Sequence, residues 1–222
     1  DNADGTYTAT AGKYRTLTKH TDDTVTISHK HGTQYQFSSE GKLTSIQDRN
    51  GNTQSISYDA NGIIQAVQTD DDQLLTFTAN ADGKIVSVTD PAGNVYAYAY
   101  DENSNLVSVT DPLGSSITYA YDYEHNLVTK TDKQGTALYF TYDDEDRAIR
   151  NWQDGNTYLV ELSFSGTNTT VVTDSRGAQT TYQYNEYGLT DTRIDMLANI
   201  ESVVWDEDMN KIRTAIIGYG RN

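Results

Sequence analysis

The sequence predicts an all-β protein: antiparallel β-hairpins, one every 21 residues or so, laid side by side into a continuous sheet. Three observations carry this. Apolar and polar residues alternate with period 2, as in Val95-Tyr-Ala-Tyr-Ala-Tyr100, which is strand and not helix spacing. Turn-forming residues punctuate these runs, as in Asp111-Pro-Leu-Gly114. The pattern then recurs, with Tyr100-Asp101 answered by Tyr121-Asp122.

Composition agrees. Among the 222 residues are 17 Tyr against 4 Phe and 2 Trp, and the apolar share is only 36%. Tyr suits a half-buried surface, with its ring packed and its hydroxyl wet. The net charge of -16 disfavours nucleic acid, whose phosphates reward Lys and Arg, and anionic membranes for the same reason. No apolar run approaches the length of a membrane-spanning helix. With no Cys there is no disulfide, thiolate metal site or Cys nucleophile.

Residues 1–34 form a less regular lead-in of short strands around Tyr7–Thr10, Tyr14–Leu17 and Val25–Ser28, with turns at Ala11-Gly12, Asp22-Asp23 and His31-Gly32. Residues 35–222 form the array, one β domain with the lead-in. The aromatic closing the first strand of each unit falls at Phe37, Tyr58, Phe77, Tyr100, Tyr121, Tyr142, Phe164, Tyr184 and Trp205. These are 21, 19, 23, 21, 21, 22, 20 and 21 residues apart. Two positions earlier stand Tyr35, Ile56, Leu75, Tyr98, Tyr119, Phe140, Leu162, Tyr182 and Val203, on the same strand face. Six positions later a second strand opens at Leu43, Ile64, Leu106 and Leu127. Ile85 follows Phe77 by eight, which predicts a longer turn there.

The first turn of a unit opens on an Asp such as Asp101, Asp122 or Asp143 and often carries a Gly; the second reads Asp-x-x-Gly, as at Asp90–Gly93. Asp first, Pro second and Gly fourth are type I turn preferences. The weakest units are expected at Asp70–Gln73 and Asp143–Gln153, where a turn glycine is missing.

The recurring Tyr-x-Tyr-Asp, Asn-Leu and Asp-x-x-Gly, seen as Tyr98-Ala-Tyr100-Asp101, Asn105-Leu106 and Asp111–Gly114, resembles the RHS/YD-repeat family of bacterial wall-associated and polymorphic-toxin proteins. The resemblance covers roughly residues 35–215. It implies a curved, spiralling sheet that forms part of a shell around a C-terminal toxin domain, or a stalk in a surface protein, in either case secreted or at the cell surface. It implies no catalysis and no cofactor. Its partner is the remainder of the parent chain: further repeats and a terminal domain. Asp111–Gly114 is followed by Ser-Ser and Asp90–Gly93 by Asn-Val, so the self-cleaving Asp-Pro-x-Gly-Leu stretch of some family members does not carry over. About 21 strands spaced about 4.8 Å apart span about 100 Å, one turn or an open arc, with unpaired edges that invite edge-to-edge self-association.

No catalytic or metal constellation is singled out. The acids of Asp70–Asp72 and Asp143–Asp146 read as solvated turns. Asp101-x-Asn103-x-Asn105 and Asp206-x-Asp208-x-Asn210 lack the glycine and final glutamate of a calcium loop. His29 and His31 share a strand face with no third ligand in view. Tyr columns read first as cross-strand ladders. An adhesin that binds glycan or protein through exposed tyrosines such as Tyr96 and Tyr123 is the alternative, and a glycan-cleaving enzyme ranks last.

Overall fold

The computed structural model describes residues 6–8, 15–166, 168–207 and 209–218. The sequence-predicted turn at Ala11-Gly12 lies outside them. Among the described residues the regular structure is β-strand, apart from one 3-10 turn at Asp154–Asn156. Two compact units divide the chain: one holds residues up to Ala99 with Val109–Ser115, the other Tyr100–Ser108 with residues from Ser116 onward.

The first unit contains β1 (Thr6–Thr8), β2 (Arg15–Lys19), β3 (Val25–His29), β4 (Gln34–Phe37), β5 (Leu43–Gln47), β6 (Thr53–Tyr58), β7 (Ile64–Thr69), β8 (Leu74–Ala79), β9 (Ile85–Thr89) and most of β10 (Val95–Tyr100). Strand β11 (Leu106–Thr110) has residues in both units. The second unit contains β12 (Ser116–Tyr121), β13 (Leu127–Thr131), β14 (Ala137–Tyr142), β15 (Ala148–Gln153), β16 (Thr157–Ser165), β17 (Thr169–Asp174), β18 (Gln179–Tyr184), β19 (Thr190–Ile194), β20 (Ile200–Trp205) and β21 (Lys211–Ile217). Within each unit every strand pairs antiparallel with its neighbour in sequence, as short hairpin turns require.

Register gives each sheet two unlike faces. Leu17 lies opposite Ile27, Ile27 opposite Tyr35, and Tyr35 opposite Ile46. One residue away, Thr26 lies opposite Gln36, Gln36 opposite Ser45, and Ser45 opposite Ser55. The same split recurs as Phe77–Val88–Tyr96 against Thr78–Ser87–Ala97. One face is aromatic and aliphatic; the other carries small residues. A slip of one residue would exchange them, so the side-chain pattern pins the register.

Neither unit wraps a core. Among the described residues only Ala137 (9% exposed) and Thr170 (8%) are buried. The chain exposes 15096 Å², against about 10,000 Å² for a compact chain of this length. Cross-strand contact half-covers the aromatic face, and stability rests on ladders and turns.

The structure corrects the sequence reading in one unit. Strand β8 ends at Ala79, paired with Ile85 across a register shift between Thr78 and Ala79, just as Tyr58 pairs with Ile64 after a shift at Ser57. Phe77 therefore stands where Ile56 and Tyr98 stand. The strand ends then run 37, 58, 79, 100, 121 and 142, an unbroken interval of 21. The turn before Ile85 is no longer than the others: Asn80 N–H bonds to Lys84 O as Asp59 N–H bonds to Ile63 O. The aromatic shifts within β8, and the ladder follows the backbone.

Candidate functional site

The site to be tested is the repeating ladder itself. Both turns of every regular hairpin obey one rule. The opening residue donates its N–H to the carbonyl four residues on and accepts from the N–H three residues on: Asp101 N–H to Asn105 O at 3.0 Å, Ser104 N–H to Asp101 O at 3.0 Å. The side chain of the opener then accepts from two more backbone amides, Asn103 and Asn105, at 3.0 and 2.8 Å. The amide of Asn105 clamps the second carboxylate oxygen at 3.0 Å. Asp and Asn open such turns because one short polar side chain satisfies donors that the curving backbone leaves behind.

Openers follow the alternating intervals of 10 and 11 that sum to one period: Ser38, Asp48, Asp59, Thr69, Asn80, Asp90, Asp101, Asp111, Asp122, Asp132 and Asp143. The fourth residue of each turn has positive φ. Gly takes that place most often, and Asp23, Asp72, Ser104, His125, Asp146, Ala198 and Met209 take it elsewhere. The two turns that lack glycine are nonetheless regular: Asp72 (φ 62) and Asp146 (φ 57) occupy the left-handed position that glycine fills in their neighbours, although the unit of Asp143–Gln153 turns irregular at its end.

Strand-end aromatics add a second device. The Tyr58 hydroxyl donates to Leu43 O at 2.8 Å, Tyr121 to Leu106 O at 3.0 Å, Tyr142 to Leu127 O at 2.9 Å, and Trp205 Nε1 to Thr190 O at 3.0 Å. The separation is 15 residues each time. On β5 and β6 the ladder runs from Gln47–Thr53 to Ser45–Ser55, so the Tyr58 phenol takes a carbonyl two residues past its end. This spacing escaped sequence reasoning; its signal was the recurrence of a ring with a donor and not merely of an aromatic. Burial raises the pKa of the Tyr121 and Tyr142 phenols above the ordinary tyrosine value.

A third link joins turns of successive hairpins. His125 Nδ1 lies 2.7 Å from Asn105 Oδ1, and Asn126 Nδ2 donates to Asp146 Oδ1 at 3.0 Å, each 20 residues apart. In the first unit Gly62 lies beneath the Lys42 ammonium and Gly83 beneath the Ile63 methyl at the same offset of 20. A fifth-position side chain in one turn thus reaches the fourth position of the turn one repeat later.

Among the sequence-predicted positions, Phe37, Tyr58, Tyr100, Tyr121, Tyr142, Tyr184 and Trp205 end β4, β6, β10, β12, β14, β18 and β20. Phe77 lies two residues inside β8. Phe164 stands one residue past the 21-residue column, where a turn opener would stand, and β16 runs through it to Ser165. Asp101, Asp122 and Asp143 open turns. The column residues lie on alternate strands, about 10 Å apart, and do not converge on a pocket. His29 packs its ring against Tyr35 at 5.3 Å. No group of three metal-ligating side chains occurs among the described residues. Tyr123 is 88% exposed and Tyr96 40%.

Irregularity is concentrated at β15–β17. The 3-10 turn Asp154–Asn156 replaces the standard turn, and Tyr158 takes φ 55 without being in the fourth place of any turn. Asn151 pairs with Val160 and Gln153 with Thr157, so Trp152 faces two residues, Tyr158 and Leu159, across a bulge.

Turn carboxylates carry the clearest electrostatic signature. Side-chain hydrogen bonds from Asn52, Asn94, Asn105 and Asn199, and from Arg147 and Arg176, hold Asp48, Asp90, Asp101, Asp195, Asp143 and Asp174 below the ordinary carboxylate pKa. Each acid is occupied with its own turn. The arrangement can hold a sheet in register; it gathers no acid, base and nucleophile at one point.

Locked hairpins repeated without a core in either unit define a chain of β-hairpin repeats. Residues 80–115 and 100–137 each match the model of the RHS repeat. Residues 80–137 thus carry RHS repeats, and the strand ends on either side keep the same 21-residue interval. No curated protein matches it. Among solved structures, the crystal structure of TcdB2–TccC3–Cdc42 is similar over 94% of this chain and 15% of its own, with TM-score 0.60 and 12% identity. The crystal structure of TcdB2–TccC3 is similar over 89% of this chain and 13% of its own, with TM-score 0.57 and 13% identity. At such identities the likeness is one of fold. The chain spans about one seventh of the length of these structures' chains.

Proposed function

We propose that this chain is a non-catalytic section of wall in a larger secreted or surface bacterial polypeptide, and that the wall encloses or presents a C-terminal toxin domain of the same polypeptide. The lead-in 1–34 and the array 35–222 act as one β domain in this reading. The observation that carries it is the absence of a core: only Ala137 and Thr170 are buried among the described residues. A sheet with two wet faces gains by having something to cover. The likeness in fold to chains several times longer supports a place within a larger assembly. The mechanism is containment: turns and phenol locks keep the antiparallel strands side by side in register, and the sheet separates two spaces.

The test is limited proteolysis of the parent polypeptide. A terminal domain that resists protease in the full-length protein, and is cut once it is expressed without the repeats, supports enclosure. A terminal domain cut equally fast in both forms overturns it.

The adhesin reading has one observation in its favour, the exposed Tyr123 in the turn opened by Asp122. Selective binding on a glycan array that Tyr123→Ser removes would establish it.

A further inference from the structure

The small-residue face changes character in the second unit, where it takes up Val171, Ile194 and Ile200 and, before them, an aromatic cluster. Thr118 lies opposite Thr131, and Ala120 opposite Thr129. One period on, the residues equivalent to Thr118, Thr129 and Thr131 are Tyr139, Arg150 and Trp152. All lie on the small-residue face, because Thr129 pairs with Tyr139 and Tyr139 with Trp152. Three small side chains are thus replaced together by two aromatics and a guanidinium, in the unit where the turn rule fails.

These groups form one cluster. Tyr139 stacks on Trp152 at 5.4 Å with an interplanar angle of 23°. The Arg150 guanidinium lies 4.5 Å from the Trp152 ring centre and 3.4 Å from the Glu161 carboxylate. The nearby Asp154 carboxylate raises the pKa of the Tyr139 phenol above the ordinary tyrosine value. Beside them the bulge presents Tyr158, 73% exposed, in a left-handed conformation that a bulky side chain rarely adopts. Strained residues of this kind cluster at sites that ligands use.

The chemistry favours a cation. Aromatic faces are negative and attract ammonium and guanidinium groups, and a carboxylate has about four acceptor sites. The chain itself displays the mode: Arg150 is held between Trp152 and Glu161, and Arg147 between the Phe164 ring at 4.4 Å and the Asp143 carboxylate at 2.8 Å. A net charge of -16 draws basic groups towards the surface and repels acidic ones. We infer that the step around Trp152, with Asp154 and Tyr158, is a docking site for Lys or Arg side chains of an extended polypeptide partner. The inference holds whatever the wall encloses.

Calorimetric titration of the chain with hexalysine at low ionic strength tests it. Saturable binding is expected, weakened about tenfold by Asp154→Asn and by Tyr158→Asn, the latter chosen because Asn tolerates positive φ. Asp48→Asn removes the same charge far along the chain and is expected to change binding by less than about twofold. Circular dichroism verifies that each variant keeps its sheet. Equal weakening by Asp154→Asn and Asp48→Asn would reveal diffuse charge attraction only and overturn the site. So would unchanged binding in Tyr158→Asn, or tighter binding of a neutral β-1,4-linked tetrasaccharide than of hexalysine.

Discussion

The hydroxyl of Tyr121 donates to the carbonyl of Leu106, fifteen residues earlier and on the neighbouring strand, at 3.0 Å. The lock recurs at Tyr58, Tyr142 and Trp205. A ring at this position therefore does two things. It covers the aromatic face, and its donor takes a carbonyl near the end of the ladder.

Tyr121→Phe separates the two. The ring stays and the donor goes, so the expected loss is that of one hydrogen bond, about 1 kcal/mol. Urea unfolding followed by circular dichroism measures it. Tyr121→Ala removes the ring as well and is expected to cost about 3 kcal/mol. Equal losses in both variants would show that the hydroxyl carries the whole effect.

Ala79 occupies the place that Tyr58 and Tyr100 hold in flanking repeats. Ala79→Tyr is expected to restore the lock, with the new hydroxyl reaching Ile64 O, and to stabilise by about 1 kcal/mol. A raised midpoint in urea confirms this. A lowered one would mean that β8 has repacked around its shorter end.

Ala198 holds the left-handed place in the turn opened by Asp195, at φ 62. An L-residue with a Cβ pays about 1 kcal/mol or more there, and Gly does not. Ala198→Gly is expected to stabilise by a large part of that amount. The same change at Ala97, within β10, is expected to destabilise, so the pair of variants distinguishes turn strain from a general effect of glycine.

Acid should dismantle the turns before the ladders. Asp48, Asp90, Asp101, Asp143, Asp174 and Asp195 have folded-state pKa values below the ordinary one because their turn partners hold the ionised form. A depressed folded pKa contributes stability that is complete above the unfolded value of about 3.9 and is lost as pH falls through the folded value. The thermal midpoint is therefore expected to be flat from neutrality to about pH 5 and to fall below about pH 4. Asp101→Asn, which keeps a side-chain acceptor but no charge, is expected to lessen the fall. A midpoint that keeps rising to pH 3 would refute the assignment.

Much of the fold was legible because its determinants are local. Period-2 alternation at Val95–Tyr100 and an Asp-Pro-x-Gly turn at Asp111–Gly114 are each sufficient to specify a strand and a reversal, whatever lies elsewhere. Phe77 shows where legibility ends. An aromatic two residues before a strand end resembles one at the end, and only the pairing of Ala79 with Ile85 tells them apart. The His125–Asn105 contact, the 15-residue phenol locks and the cluster at Trp152 were equally hidden, because each joins groups that meet only when hairpins lie side by side.

By itself, the sequence determined the class of structure, the interval and both turn edges, since steric preferences at Asp, Pro and Gly act within five residues. Tertiary structure decided which residue ends each strand, that one turn rule serves both edges, and that the rule breaks at β15–β17. Those outcomes depend on backbone hydrogen bonds between strands, and a hydrogen bond between strands is set by register, which no single strand contains.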